Sequence, residues 1–154
     1  MKFSEFFKSK DTIQLDKKTL VILRWMAIVG QYATIGIVYF IFNFDFPFYF
    51  CSVAVLIGAT TNIFLQFYIK ENQLNNFSST FFLFYDLLQL SILLYLTGGI
   101  TNPFTILLII PAIVSSTFLT LRSTINLSFF TIVILIVLTL YHEPLPHSED
   151  FQFY

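Results

Sequence analysis

Charge is scarce in this sequence. Only 11% of its 154 residues are Asp, Glu, Lys or Arg, against about 25% in an ordinary soluble domain, so a water-solvated globule is excluded. The formal net charge of −1 leaves no basic field for a nucleic acid. A single cysteine, Cys51, rules out an internal disulfide and any multi-cysteine metal cluster. As a thiol at mid-membrane it reads as a small apolar filler. The two histidines, His142 and His147, lie among prolines in a polar segment and read as solvated loop residues, so no metal site is expected. There is no phosphate-cradling glycine loop, no zinc-ligand spacing and no Ser/His/Asp arrangement, and hence no catalytic module within this chain. A secretory signal is also missing. The first apolar run starts near Thr19, continues far past a signal core and lacks a small-residue cleavage site.

What fills the chain instead is apolar. Hydrophobic residues make up 56% of it, with 21 phenylalanines. Five apolar runs, at 19–42, 47–69, 78–97, 103–121 and 124–141, each hold about 18 to 24 residues, which matches or approaches a hydrocarbon core of about 30 Å. The sequence thus predicts an all-α polytopic transmembrane bundle. Its parts are a basic leader at 1–18, the bundle at 19–141 and an outer loop at 142–154. The leader, with Phe3, Phe6 and Phe7 among its lysines, reads either as a short helix on the anionic inner leaflet or as a solvated tail. Short connections at 43–46, 70–77, 98–102 and 122–123 make neighbouring spans antiparallel. Placing the leader in the cytoplasm puts Lys2, Lys8, Lys10, Lys17, Lys18, Arg24, Lys70 and Arg122 on the inner side, and leaves Asp45, Glu143, Glu149 and Asp150 outside. The positive-inside rule therefore sets an N-terminus-in orientation. The aromatic end at Phe151, Phe153 and Tyr154 resembles the belt that precedes another span, so a sixth span beyond 154 is expected.

The runs are interrupted most sharply at Gly98-Gly99-Ile100-Thr101-Asn102-Pro103-Phe104. Glycine tolerates the left-handed backbone at a helix end, Asn102 is a good N-cap, and Pro103 at the next position loses nothing by lacking an N–H. This predicts a tight helical hairpin whose second helix opens with bare amides and a positive dipole end, beside the flat face of Phe104. Such a gap suits a flat, uncharged, carbonyl-bearing molecule dissolved in the bilayer. The same residues also read as a turn and nothing more.

Polar groups within spans are costly and need partners. Counted from the inner ends, Asp86 matches Asn62 in depth and Gln89 matches Gln31, which predicts hydrogen bonds Asp86–Asn62 and Gln31–Gln89 between helices. Arg24, near the start of the first span, can snorkel outward or bend toward Asp86. These groups read either as bundle glue or as a polar track from the hairpin to the inner face. Pro111, eight residues after Pro103, is expected to kink the fourth span.

Residues 86–104, Asp-x-x-Gln followed by Leu-Thr-Gly-Gly-Ile-Thr-Asn-Pro-Phe, resemble the membrane domain of RegB/PrrB-type redox-sensing histidine kinases, whose signature there is GGxxNPF. Leu23-Arg24-Trp25-Met26-Ala27-Ile28-Val29-Gly30-Gln31 is similar to that family's first span, and Pro144-Leu145-Pro146 fits its loop. The resemblance implies a quinone-sensing input module of a two-component sensor kinase in the bacterial inner membrane. It implies six spans and a ubiquinone contact at Gly98, Gly99, Asn102, Pro103 and Phe104. A homodimer, ATP binding, a phospho-accepting histidine and transfer to a response regulator would all belong to segments outside this chain. The family's redox-active cysteine lies there too, so Cys51 does not inherit its role. The alternative from the residues alone is a transport or structural module with a pathway at Asp86 and Asn62; the absence of an internal repeat weighs against it.

Overall fold

The computed structural model describes residues 15–143 and 145. The leader phenylalanines and lysines before Leu15 lie outside the described residues, as do Pro144, Pro146, His147, Glu149, Asp150 and the aromatic end.

Helix α1 (Lys17–Phe40), α2 (Phe48–Tyr68) and α3 (Asn76–Leu96) are followed by a 3-10 turn at Gly99–Thr101 and a 3-10 stretch at Pro103–Ile109. That stretch continues into α4 (Ile110–Phe118), and α5 (Leu121–Leu140) closes the described chain. Four of these helices, α1, α2, α3 and α5, are long and apolar enough to cross a membrane, and the run Pro103–Phe118 is a shorter apolar helix.

That shorter run reaches further than its residue count implies. Pro111 has no N–H to give to the Leu107 carbonyl, which accepts from Ile110 instead. The bond spans three residues rather than four, so the seven residues before α4 are wound as 3-10 helix. At about 2.0 Å rise per 3-10 residue and 1.5 Å per α residue, the run is about 28 Å long instead of about 24 Å. A change of helix type thus occurs beside Pro111, in the span where a kink was expected.

Every expected span shifts by one to three residues at one or both ends, and two of these shifts have a visible cause. The third span begins at Asn76 rather than at 78, because Asn75 caps it by accepting from the Ser78 N–H at 2.9 Å. The last turn lies at Leu119–Thr120, not at Arg122–Ser123, which belong to the first turn of α5. Asn76 decides this. Its Oδ1 accepts from the Thr120 N–H at 2.9 Å and its Nδ2 donates to Ser123 Oγ at 2.8 Å, so α3 holds the turn from outside.

The same end of the bundle gathers the basic residues. Lys17 Nζ donates to the Ile69 carbonyl at 2.6 Å, a cation on the C-terminus of α2. The backbone of Leu15 and Lys17 pairs with that of Leu74 and Asn72, burying Leu15 and Leu74. At the opposite end, Tyr39 stacks on Phe48 at 4.5 Å and meets Phe46 edge-on. Cys51 is the fourth residue of α2 and packs in this end cluster with Ile28, Ile35 and Val55. It is a filler, as expected, but near the hairpin end and not at mid-membrane.

Helix α3 is central, packing against α2, α4 and α5, while α1 lies mainly on α2. Large apolar side chains such as Met26, Phe67, Phe81, Ile106 and Leu140 point outward. That much exposed hydrocarbon is tolerable only in lipid. The chain is a multi-pass membrane protein.

Candidate functional site

The hairpin forms where the sequence places it. Gly98 and Gly99 have φ of 111° and 56°, left-handed values that carry the chain out of α3. Asn102 is extended, and Pro103 opens the 3-10 stretch behind it.

The amides are not bare, however. Asn102 Oδ1 accepts from the Phe104 N–H at 2.9 Å, and the Asn102 carbonyl accepts from the Thr105 N–H at 3.0 Å. Asn102 Nδ2 donates to both the Thr97 carbonyl at 2.9 Å and Thr97 Oγ1 at 2.8 Å. Thr105 Oγ1 closes the turn onto the Gly99 carbonyl at 2.8 Å. The expectation of unsatisfied donors at this helix start is corrected. A 3-10 start leaves fewer orphan amides than an α start, and the Asn cap and the missing proline N–H remove the rest. Asn102 shapes the hairpin and has no donor left to offer.

The glycines have a second use that their sequence gave no sign of. A Cβ on Gly98 would fall 2.5 Å from Leu145 Cδ1, and one on Gly99 would fall 2.5 Å from His142 Cγ and 2.8 Å from the Leu138 carbonyl oxygen. The segment after α5 therefore lies directly on the glycine pair. It is pinned there by the Glu143 N–H, which donates to the Tyr95 carbonyl at 2.9 Å. The periodicity of the spans contains no signal for this contact.

Phe104 is 44% exposed and turned to the outside of the bundle. One residue further on, an open groove of about 400 Å³ runs between the Pro103–Phe118 run and α5. Thr105, Ile106, Ile109, Ser128, Thr131 and Leu135 are among its walls. It is apolar and faces lipid.

Deeper in the bundle the polar side chains form separate pairs. Gln89 Nε2 donates to Gln31 Oε1 at 3.0 Å, the bond expected from equal depth. It forms because Gly58 of α2 lies between them. A Cβ there would come 2.7 Å from the Gln89 amide carbon, so only glycine lets Gln89 past α2 to reach α1. The expected Asp86–Asn62 bond does not form. Arg24 Nε donates to Asp86 Oδ1 at 2.9 Å instead, and Arg24 Nη2 donates to Thr61 Oγ1 at 2.8 Å. Asn62 turns its Nδ2 to the Val21 carbonyl at 3.1 Å. A cation outcompetes an amide for a carboxylate.

Arg24 does not snorkel. It is 3% exposed, with its guanidinium 5.2 Å from the Phe82 ring and 5.6 Å from the Tyr85 ring, contacts that offset part of its desolvation. Among the described residues no hydrogen bond joins these pairs to the hairpin, so the polar track is broken into an ion pair, a glutamine pair and the hairpin's own network.

The PilS-like transmembrane domain model matches residues 20–154. The sensor histidine kinase RegB of Cereibacter sphaeroides is 37% identical over 129 residues, covering 83% of this chain and 28% of RegB. A RegB sequence from a named strain of the same species is 38% identical over 75 residues, covering 48% of this chain and 16% of that protein. The chain thus spans less than a third of the length of these curated relatives. No solved structure matches it. A sequence match over almost every described residue, joined to an all-helical membrane bundle, means that the chain belongs to the PilS-like transmembrane domain family.

Proposed function

We propose that this chain is the quinone-responsive membrane input module of a two-component sensor histidine kinase. The observation that carries it is the hairpin itself: a rigid, internally hydrogen-bonded GGxxNPF turn at one face of the bundle, with Phe104 and an adjoining apolar groove open to lipid. Similarity to RegB supports the sensor-kinase context. A ubiquinone head group would lie against Phe104, with its isoprenoid tail along the groove toward Leu135. Gly98, Gly99, Asn102 and Pro103 act by holding the turn's shape, and Phe104 by ring packing.

A bound carrier changes signalling only if its two redox forms favour different helix arrangements. The hairpin joins α3, the central helix, to the run that leads to α5, so a change of fit there bears on most of the bundle. ATP binding, histidine phosphorylation, transfer to a response regulator and dimerisation belong, in this proposal, to segments outside the chain. The basic end faces the cytoplasm of a bacterial inner membrane.

A photoactivatable ubiquinone analogue, applied to the chain in lipid nanodiscs, tests this. Labelling is expected at Phe104 and along the groove. Labelling confined to α1 and α2 would sink the proposal.

A further inference from the structure

We infer that a second site, for an uncharged ring with a carbonyl acceptor, lies between α1 and α2, where the Tyr32 phenol donates to that carbonyl. The ligand class, a bilayer-dissolved quinone, is that of the proposal above. The site is separate from it, and neither the hairpin nor Phe104 takes part.

Tyr32 stands where tyrosine is unusual. In membrane proteins the phenol ordinarily sits at the interface, with its ring in hydrocarbon and its hydroxyl in water. Tyr39, Tyr49, Tyr68 and Tyr95 keep to this, each within one residue of a helix end, and the Tyr85 ring lies against Arg24. Tyr32 is eight residues before the end of α1, about 12 Å inside it. Side chains on a helix lean toward its N-terminus, which carries the hydroxyl further toward the middle of a core about 30 Å thick. Water and phospholipid ester carbonyls do not lie at that depth.

The residue is 49% exposed, and among the described residues its hydroxyl has no partner. Nearby threonines meet the same need locally. Thr34 and Thr60 donate to the Gly30 and Leu56 carbonyls one turn back, at 2.8 Å and 2.9 Å. A phenol is held too far from its own backbone to do this. An O–H left unpaired in hydrocarbon is costly, so its acceptor comes from outside the chain.

The surroundings select that acceptor. Tyr32 lines an apolar recess of about 320 Å³ with Val29 and Ala33 of α1 and Leu56 and Ala59 of α2. The two alanines leave space that larger side chains would fill. The volume is at the lower end for ligand sites, and one donor in an apolar recess is their usual make-up. A helix, about 10 Å across, would lie over such a recess and not in it. Charged lipid head groups stay at the interface, whereas an uncharged carbonyl-bearing ring reaches this depth.

Equilibrium binding of short-chain ubiquinone to the full chain in nanodiscs tests the inference, with two molecules per chain expected. Tyr32→Phe deletes only the hydroxyl and is expected to weaken one of the two about tenfold. Ala59→Leu fills the recess, leaves the hydroxyl in place and is expected to abolish that same binding event. Phe104→Ala is expected to weaken only the other. Binding unchanged in both Tyr32→Phe and Ala59→Leu overturns the inference and leaves the hairpin proposal standing. A single bound molecule that responds to Tyr32→Phe and not to Phe104→Ala does the reverse, and no binding at all overturns both. If Tyr32→Phe lowers the oligomeric mass in analytical ultracentrifugation while ubiquinone binding is intact, a second copy of the chain covers the recess and the inference is overturned.

Discussion

At the scale of single residues, the costliest group in the bundle is Arg24, a buried cation with one carboxylate partner. Asp86→Ala strands it. Breaking a buried pair by removing one partner costs about 3–5 kcal/mol, and Asp86 keeps 26% of its side chain exposed, so the expected loss is at the lower end, about 3 kcal/mol. Unfolding of the reconstituted protein by SDS titration measures it. Removing both charges in Arg24→Met/Asp86→Leu should recover most of that loss; a double variant as unstable as Asp86→Ala would mean that the pair does more than neutralise itself. Gly58 is the second such position. Gly58→Ala drives a methyl into the Gln89 amide and should cost about 1–3 kcal/mol by overpacking, while separating Gln89 from Gln31. Hydrogen exchange across α1 and α3 would show the separation, and unchanged exchange would show that α2 simply shifts aside.

At the scale of elements, the hairpin and the 3-10 stretch behave as one unit closed by Asn102. Asn102→Ala removes an N-cap bond and two bonds to Thr97. Its expected cost is about 1–2 kcal/mol, read as faster amide exchange at Phe104 and Thr105 with the other helices unchanged. Quinone binding should weaken through the loosened turn, since Asn102 has no donor to spare. Phe104→Ala should weaken binding without changing exchange, because its ring is 44% exposed and the hairpin's hydrogen bond at this residue is made by its backbone N–H. If Asn102→Ala and Phe104→Ala were alike in both measurements, the division into a shaping residue and a packing residue would be wrong.

At the scale of the whole molecule, four connecting regions are sorted onto two ends. Lys17, Lys70 and the turn before Arg122 meet at one, while the turns after α1 and α3 and the segment after α5 meet at the other. With the basic end in the cytoplasm, single cysteines placed at Glu71 or Arg122 in a Cys51→Ser background should react with a membrane-impermeant maleimide only in inverted vesicles. Cysteines at Asn43 or Thr101 should react only in right-side-out cells. The reverse pattern would invert the assigned orientation while leaving the bundle as described.

By itself the sequence determined the class of molecule, the order and approximate limits of its helices, the hairpin and the glutamine pair. Each of these depends on short-range rules: hydropathy over a span, cap chemistry at a turn, equal depth on adjacent helices. What only the tertiary structure decided is how side chains compete for partners and space. Arg24 takes Asp86 and leaves Asn62 to a backbone carbonyl because a charge outcompetes an amide once both are within reach. Gly58 and Gly99 are empty for the sake of Gln89 and His142, residues 31 and 43 positions further along the chain, and no periodicity in a sequence marks a gap kept for a distant neighbour. The 3-10 winding before Pro111 lies between these cases. The proline is visible in the sequence, but its presence alone does not say that the residues before it wind as 3-10 helix where the run packs against α3 and α5.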